Sequence, residues 1–450
     1  MTALRNDPLI EDALASATDT RCLQIGRGIL GNTAEVFQSL FGSASAIIVA
    51  DENTFRVAGK KVYDALRAAG QKCEEPFLFT DPDLYAEYKY VEELERVIAK
   101  TEAIPVAVGS GAINDLTKLV ANHCLRQYMC VATAASMDGY TAYGASITYK
   151  GSKQTFNCPA PLAVIADLDV IAAAPVAMNA SGYADLLAKV PAGADWIVAD
   201  ALAIEPIDAK GWKMVQGRLR EWLSDPEGVR QAKPEPLESL VAGLMMGGFA
   251  MQHCQTSRPA SGAEHQFSHL WDMQHHTNNG QSVSHGFKVG IGTLASVAMY
   301  EYILEQPLAD LDIAATVAQW PELPEIEASI RALYDEDEVR DKALEEVRAK
   351  HSSRQQLEAE LRILKTNWPK LKASLTTHLP SRRELQDKLA IVGAPSTPPE
   401  IGISHDRLRT SYYQAWHIRR RYTILDLAGR TASFDPCMQS VFGADGLWPA

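Results

Sequence analysis

Histidines are concentrated in one stretch of this chain, which points to a metal site or to acid–base chemistry there. Six of the 11 histidines fall within residues 253–285: His253, His265, His269, His275, His276 and His285. His265 and His269 are four residues apart and share one face of a predicted helix, while His285 lies on a separate segment. A carboxylate from elsewhere would complete a set of two imidazoles and one acid that leaves a metal position open for substrate. The residue pattern does not single out that acid, and a structural histidine cluster is the alternative.

A glycine-rich loop in the first half of the chain could hold the phosphates of a dinucleotide. It consists of Gly109, Ser110, Gly111, Ala112 and Ile113. The loop follows a predicted strand and opens a predicted helix, so the backbone could approach a pyrophosphate and the first helical N–H groups would face its charge. The third glycine of the usual G-x-G-x-x-G pattern is absent, because position 114 is Asn. An ordinary strand-to-helix turn is therefore the alternative.

Polar residues follow two other predicted strands. Asp51 comes directly after the strand 46–50, where a carboxylate could accept hydrogen bonds from an adenosine ribose. This position favours NAD over NADP, because no arginine stands beside it, and a helix cap is the equally weighted alternative. Residues 133–139 end another strand with hydroxyl groups and a carboxylate. Polar side chains gathered at one sheet edge favour a binding site there.

The elements that would carry these residues alternate between strand and helix up to residue 175. Strands are predicted at 46–50, 104–108, 129–132 and 162–166, and helices at 58–69, 85–100 and 114–125. This alternation predicts a parallel sheet with helices on both faces, which binds ligands at the carboxyl ends of its strands. An antiparallel excursion is predicted at 146–149 and 153–156, joined by a turn at Lys150 and Gly151.

After Pro175 the chain consists of long Ala-, Leu- and Glu-rich periodic segments, so this half is predicted to be helical. The predicted fold is therefore an α/β N-terminal domain with a Rossmann-like parallel sheet, residues 1–175, followed by an all-α domain, residues 176–450. The highly charged stretch 335–365 is predicted to form a solvated surface helix or helical hairpin. For the three arginines at 419–421, salt bridges on a helix are favoured over anion binding.

Composition excludes several classes of protein. The chain has 43 Lys+Arg against 56 Asp+Glu and a formal net charge of −13, which argues against a nucleic-acid partner. Its first 20 residues are acidic and lack an apolar core, unlike a secretory signal. The longest uncharged apolar stretch, 240–251, is too short for a membrane span. The seven cysteines form no CxxC pair and are expected to be buried thiols in a cytoplasmic protein.

Several motifs in this order resemble the bacterial sn-glycerol-1-phosphate dehydrogenases, within the superfamily of dehydroquinate synthase and iron-type alcohol dehydrogenases. They are GSGAINDLTK (109–118), TAASMDGYTAYGAS (133–146), PLAVIADLDVIAAAP (161–175), GYADLLAK (182–189), SRPASGAEHQFSHLW (257–271), SHGFKVGIGTL (284–294) and IRRRYTILDLA (418–428). The resemblance runs from about residue 20 to residue 430 and implies a dehydroquinate synthase-like fold. One departure is Ala142, which stands where the family often has a cofactor-contacting Ser.

The resemblance implies a role for each candidate residue by its matching position. The metal ligands would be Asp185, His265 and His285, holding one divalent ion, zinc first and nickel or iron next. NAD or NADP would be bound by Asp51, by Gly109, Ser110, Gly111, Ala112 and Ile113, and by Thr133 and Ser136. Asp138 and His269 would contact the substrate and act in catalysis, with Asp185 also at the substrate. A homodimer and a small phosphorylated polyol or ketose substrate are the implied partners.

The implied reaction is the reversible NAD(P)H-dependent reduction of dihydroxyacetone phosphate to sn-glycerol 1-phosphate. A lyase of the dehydroquinate synthase type, which uses NAD only transiently, is the first alternative. Such a lyase needs several basic residues around its substrate, and the sequence offers only Lys153, Lys189, Arg258 and Lys288 near the cluster. A dehydrogenase for glycerol or another polyol is the second alternative, because the sequence shows no unambiguous phosphate-binding motif.

Overall fold

The computed structural model describes residues 7–150 and 152–449 of this chain. Within them the chain forms two compact units. The first runs to Leu186 and also includes Lys210–Ser257 and Ile391–Gly393; the second comprises Leu187–Ala209, Arg258–Ala390 and the described residues from Ala394 onward. These bounds differ from the domains at 1–175 and 176–450, whose first six residues and last residue lie outside the described residues. That division stays a prediction.

The first unit contains a six-stranded, all-parallel sheet and one separate hairpin. Its strands are β1 (Cys22–Gly26), β2 (Ala46–Asp51), β3 (Phe77–Phe79), β4 (Ile104–Gly109), β5 (Met129–Ala132), β6 (Ala145–Tyr149), β7 (Ser152–Phe156) and β8 (Ala163–Asp167). The order in the sheet is β1-β8-β5-β4-β2-β3. The central strands are buried along nearly their whole length, as expected for apolar runs covered on both faces. Asp51, Gly109, Ala132 and Asp167 end four neighbouring strands at one edge.

The described residues up to 254 form thirteen helices. They are α1 (Pro8–Ser16), α2 (Asn32–Phe41), α3 (Glu52–Thr54), α4 (Lys60–Ala68), α5 (Tyr88–Ile98), α6 (Gly111–His123), α7 (Leu168–Ala172), α8 (Val176–Leu187), α9 (Lys189–Ala201), α10 (Ala209–Gln216), α11 (Leu219–Trp222), α12 (Pro226–Arg230) and α13 (Pro234–Cys254), with a π-helical turn at Phe55–Gly59. Of these, α9 belongs to the second unit. The helix of the glycine-rich loop begins at Gly111, three residues earlier than predicted.

The predicted antiparallel excursion is the hairpin β6–β7, in which Ala145 pairs with Phe156 and Tyr149 with Ser152. Of the predicted turn, Gly151 lies outside the described residues, and Lys150 has a positive φ of 50°. Left-handed backbone of this kind is typical of a tight turn.

The second half is helical, as predicted, apart from one short hairpin. Its helices are α14 (Ala263–Met273), α15 (His285–Glu305), α16 (Ile313–Gln319), α17 (Leu323–Leu333), α18 (Asp337–Lys350), α19 (Arg354–His378), α20 (Arg382–Val392), α21 (His405–His417), α22 (Ile424–Arg430) and α23 (Phe434–Phe442), with 3-10 turns at Leu308–Asp310 and Pro398–Ile401. The hairpin joins β9 (Thr277–Asn278) to β10 (Gln281–Ser282) through Asn279 and Gly280, both at positive φ. Asn-Gly is a characteristic two-residue hairpin turn, and the helical prediction overlooked it.

Two surface predictions need correction. The charged stretch 335–365 does form two helices, α18 and the start of α19, but it is not simply solvated, because Leu357, Leu361 and Leu364 are buried. The three arginines at 419–421 lie in the loop after α21 and not on a helix, although Arg420 does pair with Glu345 and Glu346 as expected of a salt bridge.

Two further features bear on the class of protein. None of the helices in the described part of the chain is both long and apolar enough to cross a bilayer. Across residues 7–150 and 152–449 no disulfide joins any of the seven cysteines. Cys130, Cys158 and Cys437 are buried as predicted, while the other four are partly exposed.

Candidate active site

In the second unit, α14 and α15 bring His265, His269 and His285 together. The ring centroids of His265 and His285 are 5.3 Å apart, and His269 lies 6.1 and 6.4 Å from them. The two helices approach closely because residue 292 is glycine: a Cβ there would lie 2.3 Å from the carbonyl oxygen of Glu264. The sequence prediction that these three histidines form one cluster is consistent with this arrangement.

The two candidate ligand histidines are each held through Nδ1. His265 Nδ1 pairs with Glu264 Oε1 at 2.8 Å, and His285 Nδ1 with the Ser268 hydroxyl at 3.4 Å. When Nδ1 of a histidine is held by an outer hydrogen bond, the ring is oriented and Nε2 becomes the atom that coordinates a metal. The donor set of this cluster therefore fits a divalent ion bound through two Nε2 atoms.

Glu264 itself is completely buried and lies beside a second buried acid. Its Oε1 also accepts the Gly262 N–H at 2.6 Å, while its Oε2 has no hydrogen-bond partner among the described residues. Asp195 accepts hydrogen bonds from the N–H groups of Ala263 and Ile424 and from the Tyr300 hydroxyl. Burial, and then repulsion by Glu264, raise the pKa of Asp195 to about 7. Glu264 thus destabilises the charged form of Asp195.

In the first unit, Asp138 and Asp185 are in direct contact. The Asp138 N–H donates to Asp185 Oδ2 at 3.0 Å, and Asp185, near the end of α8, is completely buried. The loop of Asp138 reaches α8 because residue 182 is glycine: a Cβ there would lie 1.9 Å from the Ala135 carbonyl oxygen. Ser136, a predicted cofactor contact, accepts a hydrogen bond from the Ser181 hydroxyl through its carbonyl oxygen.

The loop that carries Asp138 is held by Lys118, which sequence reasoning did not single out. The Lys118 ammonium donates to the carbonyl oxygens of Gly139, Ala142 and Gly144 at 2.9–3.0 Å, and the side chain is 1% exposed. Thr141, next to Ala142, donates its hydroxyl to the Met245 carbonyl oxygen and is completely buried. Thr141 therefore does not replace the serine that the family often has.

A cavity of about 1050 Å³ in the first unit is lined by three of the predicted dinucleotide contacts, Asp51, Ser110 and Thr133. Asp51 also caps α3, since its Oδ1 accepts the Thr54 N–H at 2.7 Å, so the helix-cap alternative is confirmed. Of the other predicted contacts, Gly109 ends β4, and Gly111, Ala112 and Ile113 form the first turn of α6. A ribose contact by Asp51 stays a prediction.

Arg56 and Lys61 line the same cavity as Asp51. NAD is favoured over NADP in the sequence because no arginine stands beside Asp51, but these two basic residues lie five and ten positions further along the chain. A cation near an adenosine ribose is the feature that accommodates a 2′-phosphate. The residues that line this cavity therefore do not disfavour NADP.

Sequence reasoning missed Glu264, Ser268, Lys118 and Arg56. Two of them carried a usable signal: Glu264 directly precedes His265, and Lys118 ends the quoted motif GSGAINDLTK. Ser268 and Arg56 could be recognised only once the helices and the strand edge were in place.

This chain is similar in sequence and in fold to known dehydrogenases. Residues 24–175 match the family described as iron-containing alcohol dehydrogenase. A glycerol-1-phosphate dehydrogenase [NAD(P)+] of Halalkalibacterium halodurans is 34% identical over 62% of this chain and 70% of its own length. The enzyme of that name from Geobacillus thermodenitrificans is 29% identical over 84% of this chain and 85% of its own. Among solved structures, glycerol dehydrogenase from Schizosaccharomyces pombe has a TM-score of 0.61 at 17% identity, covering 94% of this chain and 91% of its own.

Proposed function

Because this chain belongs to the family of glycerol-1-phosphate dehydrogenases, we propose that it interconverts dihydroxyacetone phosphate and sn-glycerol 1-phosphate with NAD(H) or NADP(H). The observation that carries the proposal is the identity to relatives of that name over more than two thirds of their length. The histidine cluster, and the cavity at the carboxyl edge of the parallel sheet, have the chemistry that such a reaction requires.

We further propose that Asp185, His265 and His285 hold one divalent metal ion, zinc first and nickel or iron next. They supply one carboxylate and two imidazoles, a group that could hold a metal ion. Glu264 and Ser268 support this assignment, because each engages Nδ1 of a candidate ligand. When bound, the metal supplies Lewis acidity toward the substrate carbonyl and the dinucleotide supplies or accepts the hydride.

The chain's own residues orient the reactants and handle the proton. His269 is the group we assign to proton transfer at the C2 oxygen, directly or through a water, because it lies next to both candidate ligand histidines. Asp138 is assigned to the substrate hydroxyl groups, with its backbone fixed by Asp185. Asp51, Ser110 and Thr133 bind the dinucleotide, together with the first turn of α6, whose leading N–H groups lack helical partners and suit a pyrophosphate.

The test compares substrates and removes one ligand. Purified enzyme is assayed with NADH and with NADPH against dihydroxyacetone phosphate and dihydroxyacetone, and with NAD+ and NADP+ against glycerol. Each assay is run before and after treatment with a chelator, and the metal content is measured. We expect dihydroxyacetone phosphate to be reduced with one equivalent of NAD(P)H consumed, and chelation to abolish the reaction. A lyase would leave the NAD(P)H concentration unchanged, which would contradict the proposal.

His265→Asn should remove the bound metal and lower kcat more than about 100-fold while the circular dichroism spectrum is retained. The matched control is His275→Asn, because His275 is exposed and has a positive φ of 51°, which Asn tolerates. Full activity and metal content in His265→Asn would rule out its role as a ligand.

We also propose that the enzyme is a homodimer that acts in the cytoplasm. The homodimer is what the family resemblance implies, and the unbridged cysteines fit a reducing compartment. Light scattering during size-exclusion chromatography measures the oligomeric state, and a monomeric mass for active enzyme would contradict the dimer.

A further inference from the structure

A cavity of about 440 Å³ in the second unit is lined by His269 and by three arginines. Arg419, Arg420 and Arg421 line it together with Gln266, Ser261 and Gly262. Two acids, Glu205 and Glu346, also line it. The cavity is therefore a charged pocket continuous with a residue that we assign to catalysis.

The two acids of this cavity are already paired with cationic side chains. Glu346 is held by Arg420 and by Lys342, and Glu205 lies 3.3 Å from the Nε atom of Arg258. Arg419, in contrast, makes neither a hydrogen bond nor an ion pair with any residue in the described part of the chain. Glu346 attracts the charge of Arg419, but this acid is already paired with Arg420 and Lys342.

Arg421 adds a second, fixed guanidinium to the same cavity. Its Nη1 donates to the Ser261 carbonyl oxygen at 2.6 Å, which fixes the orientation of the group. Burial, then the guanidinium groups of Arg258 and Arg419, lower the pKa of Arg421 to about 9. Two cations held close together in a partly buried site favour an anion that both can contact.

Gln266 also lines this cavity, and its amide has no hydrogen-bond partner among the described residues. Its side chain is 2% exposed, yet neither its amide nitrogen nor its amide oxygen has a hydrogen-bond partner among the described residues. A buried amide without partners is costly, so such a group is expected to bond with a ligand. The Gln266 amide nitrogen lacks an acceptor and the amide oxygen lacks a donor. A phosphate ester that also carries a hydroxyl group supplies an acceptor through its phosphate and a donor through its hydroxyl.

We propose that Arg419, Arg421 and Gln266 bind the phosphate group of the substrate, next to the His269 imidazole. The ligand class is a dianionic phosphate monoester of a three-carbon hydroxy ketone or polyol. This inference rests on the proposed function, which it deepens by naming the residues that separate a phosphorylated substrate from a free polyol. It assigns anion binding, which the sequence favours less than salt bridges for residues 419–421, to two of these three arginines.

The first experiment compares Arg419→Ala with wild type on dihydroxyacetone phosphate and on dihydroxyacetone. A charge-assisted contact to phosphate should be worth about 10- to 100-fold in kcat/KM, mainly through KM. We therefore expect the ratio of kcat/KM for the two substrates to fall by that factor. Arg419→Lys should recover part of the ratio, because it keeps the charge. Arg409→Ala, an exposed arginine on α21, is the matched control and should leave the ratio unchanged.

The second experiment measures binding without catalysis, using inorganic phosphate as the probe. Phosphate should raise the melting temperature of wild type and of Arg409→Ala, and should have little effect on Arg419→Ala or Gln266→Met. If wild type reduces neither substrate, the proposed function fails while this phosphate measurement still decides the pocket. An equal loss on both substrates in Arg419→Ala, or an unchanged response of that variant to phosphate, would overturn the inference. Should Arg419→Ala not fold, Arg419→Gln takes its place in both experiments.

Discussion

Glu264→Gln should weaken metal binding and at the same time stabilise the metal-free protein. The substitution keeps the shape of the side chain and leaves an oxygen that can accept from the Gly262 N–H and from His265 Nδ1. It removes the negative charge that strengthens the bond to His265. It also replaces the second carboxylate oxygen, which has no partner, by an amide that can donate.

The two effects have different physical origins and different sizes. Loss of an outer carboxylate on a metal-binding imidazole costs about 10- to 100-fold in metal affinity, or about 1.4–2.8 kcal/mol. The gain in stability comes from Asp195, whose raised pKa of about 7 means that its ionised form is disfavoured in the folded state. The resulting loss of folding stability is absent below pH 3.8, the pKa of Asp195 in the unfolded chain. It grows as the pH rises and is complete above pH 7. For each unit by which Glu264→Gln lowers the Asp195 pKa, the free energy of unfolding at pH 8 should increase by about 1.4 kcal/mol.

The geometry supports a direct interaction between these two acids. A Cβ placed on Gly262 would lie 2.4 Å from Asp195 Oδ2 and 2.8 Å from Glu264 Oε2, so both oxygens reach the same small space. In Glu264→Gln the amide can donate toward Asp195 there, which turns a repulsion into a hydrogen bond.

Metal affinity is measured by competition for Zn²⁺ with a chromogenic chelator, and stability by thermal unfolding of chelator-treated protein at pH 5 and pH 8. The variant should gain more in melting temperature at pH 8 than at pH 5. Ser268→Ala is the control, because its 3.4 Å contact with His285 is long and should change zinc affinity by less than about threefold. An unchanged zinc affinity in Glu264→Gln would refute the positioning of His265 by Glu264.

Two other perturbations follow from the structure. Arg56→Ala should raise the KM for NADPH about tenfold relative to that for NADH, because Arg56 lines the cavity of Asp51 and would face a 2′-phosphate; an equal effect on both cofactors would contradict this. His417 should make the fold acid-sensitive, since burial, and then Lys350, lower its pKa to about 3. The folded state therefore loses about 1.4 kcal/mol per pH unit as the pH falls below about 6.5, and thermal unfolding of His417→Gln between pH 7 and pH 5 should show a shallower slope.

The parallel sheet could be predicted from the sequence because its strands are short apolar runs that end in polar or glycine residues. β5 was predicted to the residue, and β2 and β4 to within one residue of their ends. Helix starts were less accurate: α4 begins only at Lys60, because the preceding π-helical turn at Phe55–Gly59 takes up part of the predicted helix. Hydrophobic period alone does not distinguish such a turn from regular helix.

The histidine cluster was predictable for a different reason. His265 and His269 share a helix face by spacing alone, and His285 falls in the same histidine-rich stretch. The motif resemblance added Asp185 and the roles as metal ligands. The supporting residues could not be found in this way. Gly292 matters only because its neighbour across the helix pair is the backbone of Glu264, a contact between positions 28 residues apart in the chain.

The arginine pocket explains why charge runs are difficult to interpret from sequence. The three consecutive side chains at 419–421 extend from an irregular loop into different surroundings. Arg420 pairs with two acids on α18, and Arg421 donates to a carbonyl oxygen. Arg419 makes no hydrogen bond or ion pair in the described part of the chain. In sequence they are equivalent, and the structure shows salt bridges for Arg420. Each guanidinium is surrounded by different acids and carbonyl oxygens in the fold. These surroundings determine which of the three can bind a ligand. A phosphate site of this kind is therefore sought where a guanidinium makes no hydrogen bond or ion pair in the described part of the chain, here Arg419, which lines the same cavity as the unpartnered amide of Gln266.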